Sequence, residues 1–246
     1  MKKIFSALMI FGACSLGVAQ YAGQASTTMS AGGGQGATGQ IYDLMGPISE
    51  RSAKTAERYV DFQGSPYVSN TFLPTTMYYG NENVGKIFYR HNALNDEIEI
   101  RQTTSDEEPL KSLSRDKEVS ILVDGKRLSF RTFVTSKKKT LNGYLLNLMD
   151  GETYKLYKRT HVKFTEGKPA PNSFVKAVPN RFSQFTEYYL QKEGVNRIDE
   201  ISQKNSKLLK LVEGPKKEEL KNYLKENKLN IKNEADLVKA VQFLNQ

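Results

Sequence analysis

The chain has 246 residues, 38% hydrophobic and 26% charged, with a formal net charge of +9, which is enough apolar material for one good-sized core or two small ones. A single cysteine, Cys14, and two histidines, His91 and His161, exclude a disulfide framework, a cysteine-based metal site and a multi-histidine metal site within one chain. Beyond the leader, no stretch approaches the ~20 apolar residues of a membrane-spanning helix.

Residues 1–19 read as a secretory signal peptide: Lys2 and Lys3 form a basic start, and Ile4 to Ala13 an apolar run too short to span. Small residues in Gly17-Val18-Ala19 place cleavage after Ala19, leaving a mature chain without cysteine. The alternative processing is lipidation at Cys14, although Phe11-Gly12-Ala13-Cys14 lacks the usual Leu three places before the cysteine. Either route predicts an exported protein, in the periplasm or at the periplasmic face of the outer membrane. Residues 20–40, centred on Gly32-Gly33-Gly34, cannot bury enough apolar surface to offset chain entropy and are expected to form a disordered tether. A short helix is expected from Pro47 to Tyr59, within a linker spanning 41–60.

An antiparallel β domain is expected over 61–191. Phe72 to Tyr79 reads as a strand whose Pro74 calls for an edge or a bulge. A turn at Gly80-Asn81 leads to a strand over Val84 to Tyr89, and a break is expected at Arg90 to Leu94. Glu97-Ile98-Glu99-Ile100-Arg101 alternates strictly, which predicts a half-buried strand with its carboxylates on a solvated face. After a polar loop, Leu110 to Asp116 reads as a short turn. The centre of the chain is a pair of hairpins, Ile121 to Phe130 and Leu145 to Tyr157, bent at Asp124-Gly125 and Asp150-Gly151. Asp-Gly suits the type I′ turn because both central residues need φ > 0. Pro169, Pro171 and Pro179 mark a loop over Gly167 to Pro179, and Glu187 to Gln191 reads as the next strand.

From Ile198 the signal turns helical, with pieces over Ser202 to Leu211, Lys216 to Lys228 and, N-capped by Asn233, Glu234 to Asn245. Leu237, Val241 and Leu244 fall on one helical stripe. The expected fold class is α+β: an antiparallel β-sandwich or open barrel of about eight strands, followed by a small three-helix subdomain over 192–246.

The chemistry is sparse. Asp96, Glu97 and Glu99 are the densest acidic cluster near an aromatic residue and a histidine. A glycan hydrolase built on them would need a facing carboxylate, from Asp116 or Glu152, and neither is singled out; a solvated strand face explains the cluster more simply. No Gly-x-Ser-x-Gly elbow accompanies His91, which is placed in a turn, and His161 is given no role. No phosphate-binding glycine motif is present, and no cofactor is called for. Adjacent tyrosines on a strand face opposite sides, so the pairs Tyr78-Tyr79 and Tyr188-Tyr189 are candidates for an exposed peptide or carbohydrate platform. The lysines are mixed with carboxylates, as in Lys216-Lys217-Glu218-Glu219, the pattern of a solvated helix face rather than of nucleic-acid binding.

Three stretches together, Gly64-Ser65-Pro66-Tyr67, Arg90-His91-Asn92 with Asn95-Asp96-Glu97-Ile98-Glu99, and the Lys-rich tail Lys216 to Leu229, resemble a family of uncharacterised exported proteins of Bacteroidota over residues 60–246. Where the family pattern reads Arg-Tyr-Asn, this chain reads Arg90-His91-Asn92. The resemblance implies an envelope protein and carries no catalytic residue over. The sequence therefore predicts a non-enzymatic binding or assembly component whose partner is another envelope protein or a cell-wall polymer.

Overall fold

A computed structural model describes residues 41, 43–49 and 62–246. The expected signal peptide, its Cys14 alternative, the tether and most of the expected Pro47–Tyr59 helix lie outside these residues. Among the described residues are eleven strands: β1 Met45–Pro47, β2 Leu73–Tyr79, β3 Glu82–Asn92, β4 Glu97–Arg101, β5 Lys111–Leu113, β6 Val119–Val123, β7 Lys126–Val134, β8 Thr140–Asp150, β9 Tyr154–Thr165, β10 Arg181–Lys192 and β11 Asp199–Ile201. They are followed by α1 Asn205–Leu208, which tightens into a 3-10 turn over Leu209–Leu211, then α2 Pro215–Glu226 and α3 Glu234–Leu244. The fold is α+β, a large sheet with a C-terminal helical part. No helix among the described residues is long and apolar enough to cross a membrane.

The strands run β1-β5-β4-β3-β2-β6-β7 and then close on themselves, because β7 pairs with both β8 and β11 while β8, β9, β10 and β11 pair in succession. The result is a five-stranded ring with a six-stranded extension. Closure is thin: β11 meets β7 in parallel at the single pair Asp199 and Val134, supported by the Val134 amide donating to the Ile198 carbonyl at 2.8 Å.

The central hairpins form a continuous antiparallel meander, β6-β7-β8-β9. Asp124 and Gly125 have φ of 50° and 75°, the left-handed geometry of a type I′ turn. Asp150-Gly151 bends a hairpin for a different reason. Asp150 is still paired, with Lys155, and neither residue has a positive φ. A Cβ on Gly151 would instead run into the side chain of Asn245, just past α3. Pro74 sits in the half of β2 that β6 does not reach, with a bulge between Met77 and Tyr78, so the missing N–H faces a local edge.

Several expectations are corrected. Strand β3 continues through Arg90, His91 and Asn92, which pair with Glu99, Ile98 and Glu97; the turn falls at 93–96. Lys111–Leu113 is a strand, not a turn, because it pairs with both β1 and β4. Glu97 and Glu99 are 3% and 0% exposed, so β4 is buried on both faces rather than half-solvated. The cause is that β4 lies between β3 and β5 with polar neighbours over its acidic face. Glu99 accepts from Arg90 at 2.6 and 2.8 Å and from Asn92 at 3.2 Å, and Glu97 accepts from the Ser49 amide and hydroxyl at 3.0 and 2.8 Å. Strand β11, inside the stretch expected to be helical, belongs to the sheet because β10 and β7 flank it.

The helices cover one face of the ring. Leu220 and Leu224 of α2 and Leu237, Ala240, Val241 and Leu244 of α3 are buried against Leu148, Leu156, Tyr188 and Leu190. Asn233 caps α3 as expected, accepting from the Ala235 amide at 2.8 Å. A second core, including Met77, Ile87, Ile98, Ile100 and Ile121, fills the extension.

Candidate functional site

The ring interior is built in layers, because alternate residues of a strand point the same way. The register of β9 and β10 sets His161 beside Phe185, Arg159 beside Glu187, Tyr157 beside Tyr189 and Lys155 beside Gln191. The aromatic layer is closed by Phe133, Leu145 and Ile198, with Phe133 and Tyr189 edge to face at 4.7 Å.

On one side of that plug lies a charged layer. Arg159 contacts Asp96 at 3.2 Å and Glu187 at 3.3 Å, and its guanidinium stands 5.0 Å over the Phe133 ring. Asp96, in the left-handed turn after β3 (φ 53°), also accepts from the Tyr144 amide at 3.2 Å. Glu187 accepts from the Tyr189 hydroxyl at 2.8 Å. Both histidines of the chain face this layer, His91 at 3.8 Å from Asp96 and His161 at 3.7 Å from Glu187. Burial alone would raise the Asp96 carboxyl; His91, Arg159 and the Tyr144 amide outweigh it and hold it below the usual range. Burial pushes His161 down despite Glu187. Burial and the Glu187 carboxylate push the Tyr189 hydroxyl up. Each carboxylate is already engaged, so the layer reads as a buttress joining β3, β9 and β10.

On the other side of the plug the interior opens and becomes polar. Arg131 of β7 stands where three hollows meet. The first, of about 1110 Å³, is an open trough that also takes in Arg115, Lys117 and Arg197. The second, of about 540 Å³, and the third, of about 270 Å³, have Arg131, Asn147, Asp150 and Tyr157 in common with each other. The Arg131 Nε donates to the Ser129 hydroxyl at 3.0 Å, and among the described residues Arg131, Arg115 and Lys117 make no ion pair. Asn147 Oδ1 is a buried acceptor with no hydrogen-bond partner. The Tyr157 hydroxyl donates to Gln191 Oε1 at 3.1 Å and is pushed up by burial, with Arg131 and Lys155 opposing. This arrangement offers a bidentate cation, an open acceptor and a hydroxyl in one recess.

The residues singled out from the sequence are dispersed. Tyr79 is 47% exposed, and Tyr78 is half-buried under the Arg127 guanidinium at 4.4 Å. Tyr188 and Tyr189 are 5% and 0% exposed, so no exposed pair exists there. One faces the helices, where its hydroxyl donates to Glu234 at 2.7 Å, and the other faces the ring interior. Asp116 lines the trough, while Glu152 is exposed in the β8–β9 turn. His91 lies in β3 rather than in a turn. Arg131 and Asn147 were missed. A signal for them was present: Arg127, Ser129 and Arg131 put three polar side chains in a row on one face of the strand while Leu128 and Phe130 face the other way, as an interior lined by polar groups requires. Comparison with protein-family models, with curated proteins and with solved structures finds no match.

Proposed function

We propose that the chain is an exported, non-catalytic binding component of the bacterial envelope, and that it holds an acidic cell-wall polymer in the trough beside Arg131. The observation that carries this reading is a guanidinium that makes no ion pair among the described residues, at the junction of three hollows; Asp150, the carboxylate that lines two of them, is already paired with Lys155 at 2.8 Å. A carboxylate or phosphate on the polymer would meet Arg131 two-pronged. A neighbouring hydroxyl would donate to Asn147 Oδ1, an acceptor that is expensive to leave unmet when buried. A hollow of about 1110 Å³ has room for more than one sugar-sized unit, and Arg115, Lys117 and Arg197 outnumber Asp116 in its lining. Export rests on the leader, and the placement at the envelope on export together with the family resemblance. Asp96, Glu97 and Glu99 are committed to partners in the fold, which supports binding over hydrolysis.

The test is co-sedimentation of the protein with isolated cell-wall sacculi at low and high salt. Retention should fall about tenfold in Arg131→Gln, the loss of one charge-assisted pair, and should weaken as salt screens the trough. Unchanged retention in the variant overturns the site. Release of soluble glycan fragments by the folded protein overturns the non-catalytic reading.

A further inference from the structure

We propose that the β9–β10 loop is a docking tip for an anionic lipid surface, an inference that does not depend on the trough. β8 accompanies β9 only as far as Lys158, whereas β9 and β10 remain paired out to Thr165 and Arg181. The hairpin therefore continues beyond the point where β8 parts from β9 to follow β7. The loop is narrow and held in shape. Lys168 and Val178 exchange backbone hydrogen bonds at 2.8 Å each, the Gly167 amide donates to Asn180 Oδ1 at 2.7 Å, and the Phe174 amide donates to Asn172 Oδ1 at 3.0 Å. Pro169, Pro171 and Pro179 restrict it further, so it loses little freedom on binding.

At the tip Phe174 is 94% exposed, with Val178 at 58% and Val175 at 49%. Lys168 and Lys176 lie in the loop with these apolar side chains and Lys163 and Arg181 at its base, all exposed, with Lys163 over the Phe185 ring at 4.9 Å, and Glu166 is the only acid between them. None of the five takes part in an ion pair among the described residues. An exposed apolar tip on a loop whose cations make no ion pair has the chemistry of an interfacial anchor: the aromatic ring enters the headgroup region and the cations meet lipid phosphates. A convex tip suits a deformable surface, whereas a peptide or protein partner would have to supply its own groove.

The test uses the full chain, so that its leader contributes equally throughout, with vesicles of 30% phosphatidylglycerol in phosphatidylcholine and with pure phosphatidylcholine. Co-sedimentation should favour the anionic vesicles and decline as salt is raised. Phe174→Ser should weaken binding about tenfold through lost apolar contact. Lys168→Gln and Lys176→Gln should each weaken it about fivefold, the worth of one cation near a charged membrane. Phe174 packs on nothing in the core, so its variant should melt like the parent. Equal binding to both vesicle types, no binding to either, or full binding by Phe174→Ser overturns the proposal.

Discussion

Asn245 ties the C-terminal helix to the sheet, and its removal is the sharpest test of how the helical layer is held. Its Oδ1 accepts from the Thr153 amide at 2.9 Å and the Tyr154 amide at 2.8 Å, and its Nδ2 donates to the Tyr154 and Val241 carbonyls at 3.0 Å each. Asn245→Ala removes all four. Water can reach the exposed Thr153 end, so the loss is dominated by the two bonds to the backbone of Tyr154, a residue only 7% exposed, at about 1 kcal/mol each, plus a fraction for the others. The expected cost is about 2–3 kcal/mol, or a melting temperature lower by roughly 5–10 °C in a body of this size. Urea denaturation should show an earlier midpoint with the slope unchanged. Gly151→Ala collides with the same side chain, so it should destabilise the parent but cost much less in the Asn245→Ala background, a coupling of about 1 kcal/mol or more. A loss below about 0.5 kcal/mol for Asn245→Ala, or simple additivity of the two changes, would refute the assignment.

Arg159→Met leaves Asp96 and Glu187 side by side without their shared cation. With 19% and 27% of those side chains exposed, the expected loss is about 3 kcal/mol, toward the lower end for a broken buried pair, and it is read by chemical denaturation. Stability should also decline in two steps as pH falls. The folded state holds His161 below its ordinary 6.5, so that contribution is present above pH 6.5 and lost as pH drops through the folded value. It holds Asp96 below 3.8, so that contribution persists to more acidic conditions and is lost below pH 3.8. Denaturation midpoints measured across the range should lose the first step in His161→Gln and show a smaller second step in Asp96→Asn, where Glu234 and Glu108, also held below the usual carboxylate range, still contribute; a variant curve parallel to the parent's refutes the corresponding assignment.

Features fixed by near neighbours were legible in the sequence. Asp124-Gly125 carries its own left-handed turn, Asn233 its own cap, Pro74 its own constraint, and the stripe of Leu237, Val241 and Leu244 its own buried face. These depend on backbone geometry within a few residues. Misreadings arose where burial depends on strands far apart in the chain. Glu97 and Glu99 alternate with isoleucines as a solvated face would, yet Arg90 and Asn92 of the neighbouring strand meet Glu99, and Ser49, from far up the chain, covers Glu97. Tyr188 and Tyr189 look like a surface pair, yet the helices cover one and the closed ring the other. Gly151 was assigned to turn conformation, but its lack of a side chain serves Asn245, almost a hundred residues away.

The charged layer and the polar recess have the same origin. Arg159, Glu187 and Asp96 meet only because β3, β9 and β10 converge, and Arg131 faces an interior only because β11 closes the ring. By itself the sequence determined the Asp124-Gly125 turn, the Asn233 cap and the amphipathic stripe of the last helix, since each is a local balance of sterics and hydrophobicity. Tertiary structure alone decided which polar groups are paired and which are left open, because a charge is neutralised by whatever folding brings within a few ångströms of it, at any separation along the chain.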